Sequence, residues 1–276
     1  MTRTANRQLY SLRRVVQTPR TFANWPQVLR DMSLGHSGRG PAELVFRTRG
    51  GMTITTPNRP GARVPVYEIF AEDCYRLPWF LGAFDGRPFQ VIDIGGHVGT
   101  FSCRVSQLFD QASIQTFEPS ATTADFLRRN IAANGFSDRV TVNEFALSSS
   151  SGSALYDDNG AGSGLNGLVA LGHSTGVATQ VATISFDDAV AKAPAPVEVV
   201  KIDCEGGEYD LVLGSSPQSW DSVRRVVVEC HKVAGHSWPE LRDWFAKVGL
   251  AVQEEIVVGQ SACGWLSRDP LPAFAG

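Results

Sequence analysis

The stretch Val91-Ile92-Asp93-Ile94-Gly95-Gly96-His97-Val98-Gly99-Thr100 decides the fold. An apolar run ends at an acid and three closely spaced glycines, and an amphipathic segment follows at once. This is a buried strand entering a helix through a sharp turn. Glycines let the backbone turn and approach a ligand without a Cβ clash. The helix that opens at Gly99 aims its free N–H groups at the same ligand.

The next strand, Ser113 to Phe117, ends in Phe117-Glu118-Pro119. Glu118 lies 19 residues after Gly99. An acid there accepts hydrogen bonds from both hydroxyls of a ribose, so the two features together specify an adenosine-containing ligand. The pattern permits NAD(P) or S-adenosylmethionine. Two details favour the second. The spacing is Gly-Gly-x-x-Gly, and Asp93 stands two residues before the first glycine. Its carboxylate suits an amino-acid ammonium, met directly or through water.

Outward from the turn, strands and helices alternate. Helices are expected at Gly99 to Phe109, Thr123 to Asn134 and Trp238 to Val248, the last two closed by glycine. Strands are expected at Val140 to Leu147, Glu198 to Ile202 and Arg225 to Val228. Leu250 to Val258 and Cys263 to Ser267 have no helix between them and read as an antiparallel pair. The alternation means an α/β, doubly wound, mainly parallel sheet over residues 87–270. A Gly-, Ser- and Ala-rich insert at 148–180 breaks it, read as a strand or two with a flexible loop beside the active site. Residues 41–86 form a cap: a hairpin, Leu44 to Phe46 and Met52 to Ile54 around Gly50-Gly51, then a short helix from Tyr67 to Leu77. Residues 1–40 are a basic, partly ordered arm with seven arginines against Asp31. Leu9, Leu12, Val15 and Val16 form its apolar stripe, and the arm is expected to pack on its own domain.

Composition excludes several classes. Apolar residues are 43% and charged residues 19% of the 276, an ordinary globular balance. A net charge of −3 gives no general pull toward nucleic acid. The five cysteines are scattered without CxxC spacing, which argues against a disulfide framework or a zinc site. No apolar run reaches membrane-spanning length and no apolar signal core opens the chain, so the expected location is the cytoplasm.

The candidate chemistry sits at two later strand ends. Lys201-Ile202-Asp203-Cys204-Glu205-Gly206-Gly207-Glu208 closes the fourth strand, where Asp203 and Glu205 alternate onto one face. Glu229 and His231 do the same on the fifth. His231 is the first choice of general base, since its ordinary pKa suits proton removal near neutrality, and Glu205 is the second. Glu208 reads as an acid favouring the start of the next helix. Asp203 and Glu229, with His231 nearby, also suit a divalent ion such as Mg²⁺, which lowers the pKa of a bound substrate oxygen.

These residues resemble the FkbM family of methyltransferases from about Tyr67 to Trp265. The blocks are Val91 to Ser102, Thr116-Phe-Glu-Pro-Ser120, Asn143 to Ser148, Ile184 to Asp188, Val200 to Tyr209 and Val227 to His231. Their order and spacing carry the likeness. It implies a class I methyltransferase (Rossmann-like) fold, a seven-stranded sheet with the last strand antiparallel. It also implies S-adenosylmethionine as cofactor, Ala146 framing the adenine, and Phe117 and Ser120 flanking the Glu118 contact. The implied reaction is O-methylation of a hydroxyl on a sugar, polyketide or other small metabolite. His97 departs from the family, which more often has a small or amide residue there. It is expected to touch the ligands or to cap the helix. The alternatives are a nicotinamide-dependent oxidoreductase and a methyltransferase of a macromolecule. For the latter there is no Asn-Pro-Pro-Tyr-type motif and no basic patch outside the arm. A homodimer is compatible with this reading.

Overall fold

The computed structural model describes residues 13–36, 39–163, 167–168 and 177–274. Among the described residues, the arm shows a helical segment α1 (residues 13–21), followed by α2 (Trp25–His36). Val15 and Val16 are exposed, and Leu9 and Leu12 lie outside the described residues. The arm is instead held down by wholly buried Phe22, whose ring meets Phe46 and Tyr67, and by a Thr18–Tyr67 hydrogen bond of 2.8 Å.

Strands β1 (Glu43–Arg47) and β2 (Thr53–Pro57) form the expected hairpin. The following helix departs from expectation. Helix α3 spans Pro60–Phe70, and α4 (Leu77–Leu81) is separate. Pro60 sits in the first turn, where its fixed φ suits a helix and its missing N–H costs nothing. Asp73 and Arg76 have φ of 47° and 53°, which no right-handed helix crosses.

The turn stretch supplies β3 (Phe89–Ile94), buried along its whole length, and α5 (Thr100–Leu108). Then come β4 (Ala112–Phe117), α6 (Ala121–Ala133) and β5 (Val140–Asn143). The third strand, expected to run to Leu147, divides. Asn143 ends the pairing with β4, and β6 (Ala146–Ser148) joins a second sheet. That sheet absorbs the insert through β7 (Gly152–Asp158), β8 (Gly167–Leu168) and β9 (Val177–Ser185), in the order β6-β9-β7-β8. The insert is therefore more strand than expected. The rest of its expected loop, 164–166 and 169–176, lies outside the described residues.

Helix α7 (Phe186–Ala191) leads to β10 (Val197–Ile202), α8 (Glu208–Gly214), β11 (Arg225–Cys230), α9 (Trp238–Lys247), β12 (Ala251–Val258) and β13 (Ser261–Ser267). The main sheet runs β12-β13-β11-β10-β3-β4-β5, with β13 antiparallel to both neighbours. This is the class I methyltransferase arrangement. One face of the sheet shares a core with the cap, and the other packs on α7 to α9. Asn130 of α6 and Asn134, which caps that helix, lock the hairpin in place. Their side-chain amides exchange hydrogen bonds with the backbone of Thr55 and Thr53 at 2.7–2.9 Å. The chain leaves β3 toward β4 on one side and returns at β10 on the other, so a crevice opens at the carboxyl ends of β3 and β10.

Candidate active site

The turn after β3 is built from close backbone approaches. The N–H groups of Gly95 and Gly96 both donate to the Phe117 carbonyl, at 3.1 and 2.9 Å. Gly95 has φ 77°, and a Cβ there would lie 1.8 Å from the Asp203 carbonyl oxygen. A Cβ on Gly96 would meet Thr116 Oγ1 at 2.1 Å. No side chain fits at either position. His97, at φ 49°, turns its N–H to Glu118 Oε2 at 3.0 Å, while the Ser120 N–H reaches Oε1 at 3.0 Å. Glu118 is thus gripped through both oxygens by backbone donors and keeps lone pairs for a ligand. Burial pushes its carboxyl up to about 7, against the pull of those two bonds.

The crevice is a cavity of about 480 Å³. Gly95, Gly96, His97, Thr100, Phe117, Glu118, Pro119, Ala146 and Asp203 of the expected ligand-binding set line it. Gly99 caps α5, and Ser120, whose Oγ donates to Asp158 at 3.1 Å, stands behind the wall. The N-cap position of α5 is taken by Gly99 and not by His97. The His97 ring is buried, and burial lowers its pKa against the pull of the Gly162 backbone, so the ring is neutral.

Asp93 is the main correction. Its side chain is completely buried and does not line the cavity. Oδ2 accepts from Ser102 (2.6 Å) and Thr116 (3.2 Å), and Oδ1 faces Lys201 Nζ at 3.4 Å. The charge expected to meet an ammonium is already met by a lysine. Lys201 also donates to the carbonyls of Ile94 (3.1 Å) and Gly95 (2.7 Å) and stands 3.6 Å from Asp203. Burial works against its charge, but Asp93 and Asp203 outweigh it and hold the pKa above the usual lysine value. Sequence reading gave this residue no role. The available signal was a lysine in the apolar run of a central strand, two residues from Asp203 and therefore on its face.

The other end of the cavity brings together the expected chemical residues. Asp203, Glu205, Glu229 and His231 all line it, and the cap adds Glu68 and Tyr75, neither foreseen as site residues. Glu208 does more than start α8. Wholly buried, it accepts from the N–H groups of Cys204 and Gly206 and from His231 Nδ1 at 2.9 Å. That leaves Nε2 of His231 facing Glu205 Oε2 at 3.4 Å. Burial disfavours the imidazolium, yet Glu208 and Glu205 raise His231 to about 10. Burial also lifts Glu205 to about 8, against the pull of His231 and with help from Asp203.

Ligand atoms of Asp203, Glu205 and His231 lie within 4.8 Å of one another, a donor set that suits a divalent ion in kind. Glu229, expected in that set, points instead to the Tyr75 hydroxyl. His231 supplies one positive charge between Glu205 and Glu208.

Residues 93–251, more than half of the chain, match the methyltransferase FkbM domain. Methyltransferase sdnD of Sordaria araneosa is 26% identical over 197 residues, covering 61% of this chain and 74% of that one. In fold, a SAM-dependent methyltransferase from Agrobacterium tumefaciens is similar with a TM-score of 0.50 at 10% identity, covering 83% of this chain and 71% of that one. An O-methyltransferase family protein from Burkholderia thailandensis reaches 0.45 at 15% identity, over 76% of this chain and 60% of that one. With its strand order, glycine turn and Glu118 in register, the chain belongs to the FkbM family of S-adenosylmethionine-dependent methyltransferases.

Proposed function

We propose that the protein methylates a hydroxyl of a small molecule, such as a sugar, a polyketide or a related metabolite. The observation that carries this reading is one cavity with an adenosine-type end at Glu118 and, at its other end, the carboxyl of Glu205 beside His231. Its volume of about 480 Å³ falls within the range of small-molecule sites. S-adenosylmethionine supplies the electrophilic methyl group. The chain then has to orient both partners, exclude water and accept the hydroxyl proton.

In this reading Glu118 holds the ribose hydroxyls, Phe117 and Ala146 border the adenine, and the Gly95–Gly96 turn lies against the amino-acid tail. The pKa values reverse the order of the two candidate bases. An imidazole held near 10 is charged at neutral pH and does not accept a proton. Glu205, near 8, is better matched to the task. His231, braced by Glu208, keeps a fraction of Glu205 ionised. Glu205 would accept the proton of the acceptor hydroxyl, and the methyl group would leave the sulfonium for that oxygen with S-adenosylhomocysteine as the other product.

The test is S-adenosylhomocysteine release from S-adenosylmethionine across a panel of hydroxylated sugars and polyketides. Glu205→Gln and His231→Ala are each expected to lose at least ~100-fold in turnover, with S-adenosylhomocysteine affinity within about threefold. Wild-type turnover in Glu205→Gln would remove it as the base.

A further inference from the structure

We infer that Tyr75, contributed by the cap, is a positioning residue of the methyl transfer: its hydroxyl holds Asp203 and Glu229 as a pair across the cavity from Glu68. The inference rests on the methyltransferase reading of this cavity.

Strands β10 and β11 pair with Ile202 opposite Val228, so Asp203 and Glu229 are the next residues along, side by side at the sheet's carboxyl edge. Like charges placed so repel. Between them stands the Tyr75 hydroxyl, which donates to Asp203 Oδ2 at 3.0 Å and lies 3.4 Å from Glu229 Oε2. One proton serves two carboxylates. The donor itself is tightly fixed. Its ring is buried and packs edge-on against Phe101 at 5.6 Å. Its carbonyl accepts from Trp265 Nε1 at 2.8 Å. The next residue, Arg76, lies over the rings of Trp265 and Phe274 at 4.6 and 3.9 Å.

The groups around the pair come from every neighbouring element. Helix α1 gives Arg14, the cap gives Glu68, Glu72 and Cys74, β10 and its turn give Lys201 and Glu205, the turn after β11 gives His231, and β13 gives Cys263. Burial raises both thiols, so they are neutral. Lys201 is engaged by Asp93 and two carbonyls, and His231 by Glu205 and Glu208. Among the described residues no ion pair joins Glu68 or Glu229. Burial and the facing acids lift both to about 7. A cation in this end of the cavity drives protons off these carboxylates, and a neutral ligand of the same shape does not. S-adenosylhomocysteine lacks the sulfonium's positive charge and its methyl group, and is otherwise the same molecule.

The experiment is calorimetric titration of the full chain with each compound, in two buffers of different ionisation enthalpy, from pH 5.5 to 8.5. Wild type is expected to release more protons with S-adenosylmethionine than with S-adenosylhomocysteine. Tyr75→Phe keeps the ring and its packing but removes a hydrogen bond that favours the ionised pair. It should leave S-adenosylhomocysteine affinity within about threefold and move the pH midpoint of S-adenosylmethionine binding up by about one unit. In a Glu229→Gln background the same change should move it far less, because the pair is already broken. Identical pH profiles for wild type and Tyr75→Phe would reduce Tyr75 to a packing residue and overturn the inference. If wild type binds neither compound, the reading of the cavity itself fails.

Discussion

The two ends of the cavity solve opposite electrostatic problems. At the glycine turn, one carboxylate, Glu118, is gripped by two backbone N–H groups that come from its own loop and the adjacent turn. At the cap end, Glu68, Asp203, Glu205 and Glu229 crowd together, with one tyrosine proton between two of them. The first end is preorganised before a ligand arrives, so it spends little on reorganisation. The second keeps unrelieved repulsion that a cationic ligand removes. In the proposed reaction, binding falls to rigid backbone and chemistry to side chains under electrostatic stress, the usual cost of a functional site.

The harshest way to break this contrast is to put a side chain into the turn. Gly95→Ala places a methyl 1.8 Å from the Asp203 carbonyl oxygen at a φ of 77°. Neither the backbone atom nor the left-handed conformation yields cheaply. We expect S-adenosylhomocysteine affinity to fall by more than ~3 kcal/mol by calorimetry, or the protein to lose its fold. Affinity within threefold of wild type would show that the turn does not bear on the ligand.

A milder probe compares one acid from each end. Glu118→Ala strands the ribose hydroxyls and the N–H groups of His97 and Ser120, and should weaken S-adenosylhomocysteine binding by about 1–3 kcal/mol. Glu229→Gln at the other end should leave that affinity within about twofold, since the sulfur of this compound carries no charge. Equal losses from both changes would erase the division of labour.

How far each end was legible follows from the distances its contacts span along the chain. The turn and Glu118 form one local unit, with His97 and Glu118 bonded 21 residues apart, and their spacing alone revealed it. The late antiparallel strands were readable because too few residues separate them to hold a helix. The cap end is assembled from Tyr75, Asp203 and Glu229, bonded across 128 and 154 residues. No periodicity reports such a meeting. Asp93 was misjudged for a related reason. Its position on the strand was clear, but which neighbour would face it depended on Lys201 in a strand that adjoins β3 only once the sheet has formed. Glu208 was taken for a helix start, which it is, while its burial beneath His231 is a tertiary fact.

The smallest expected effect tests whether the cap end is under stress at all. Glu68 rises from 4.5 to about 7, through burial first and then through Glu229 and Asp203. The folded protein therefore holds this proton over a range where the unfolded chain has lost it. Stability from that proton is full below pH 4.5 and is lost as pH rises through about 7. Glu68→Gln removes the titration and the like charge together. Because Glu68 is only half-buried, solvent screening cuts the gain to about 1 kcal/mol, or roughly 2–4 °C in Tm. Thermal unfolding should show the variant ahead of wild type at pH 8 and level with it near pH 4.5. His231 is also raised, from 6.5 to about 10, and adds the same downward slope at higher pH in both proteins, so it cancels in the comparison. A variant that is less stable than wild type at pH 8 would mean that Glu68 is held by favourable contacts and that the repulsion assigned to this end is absent.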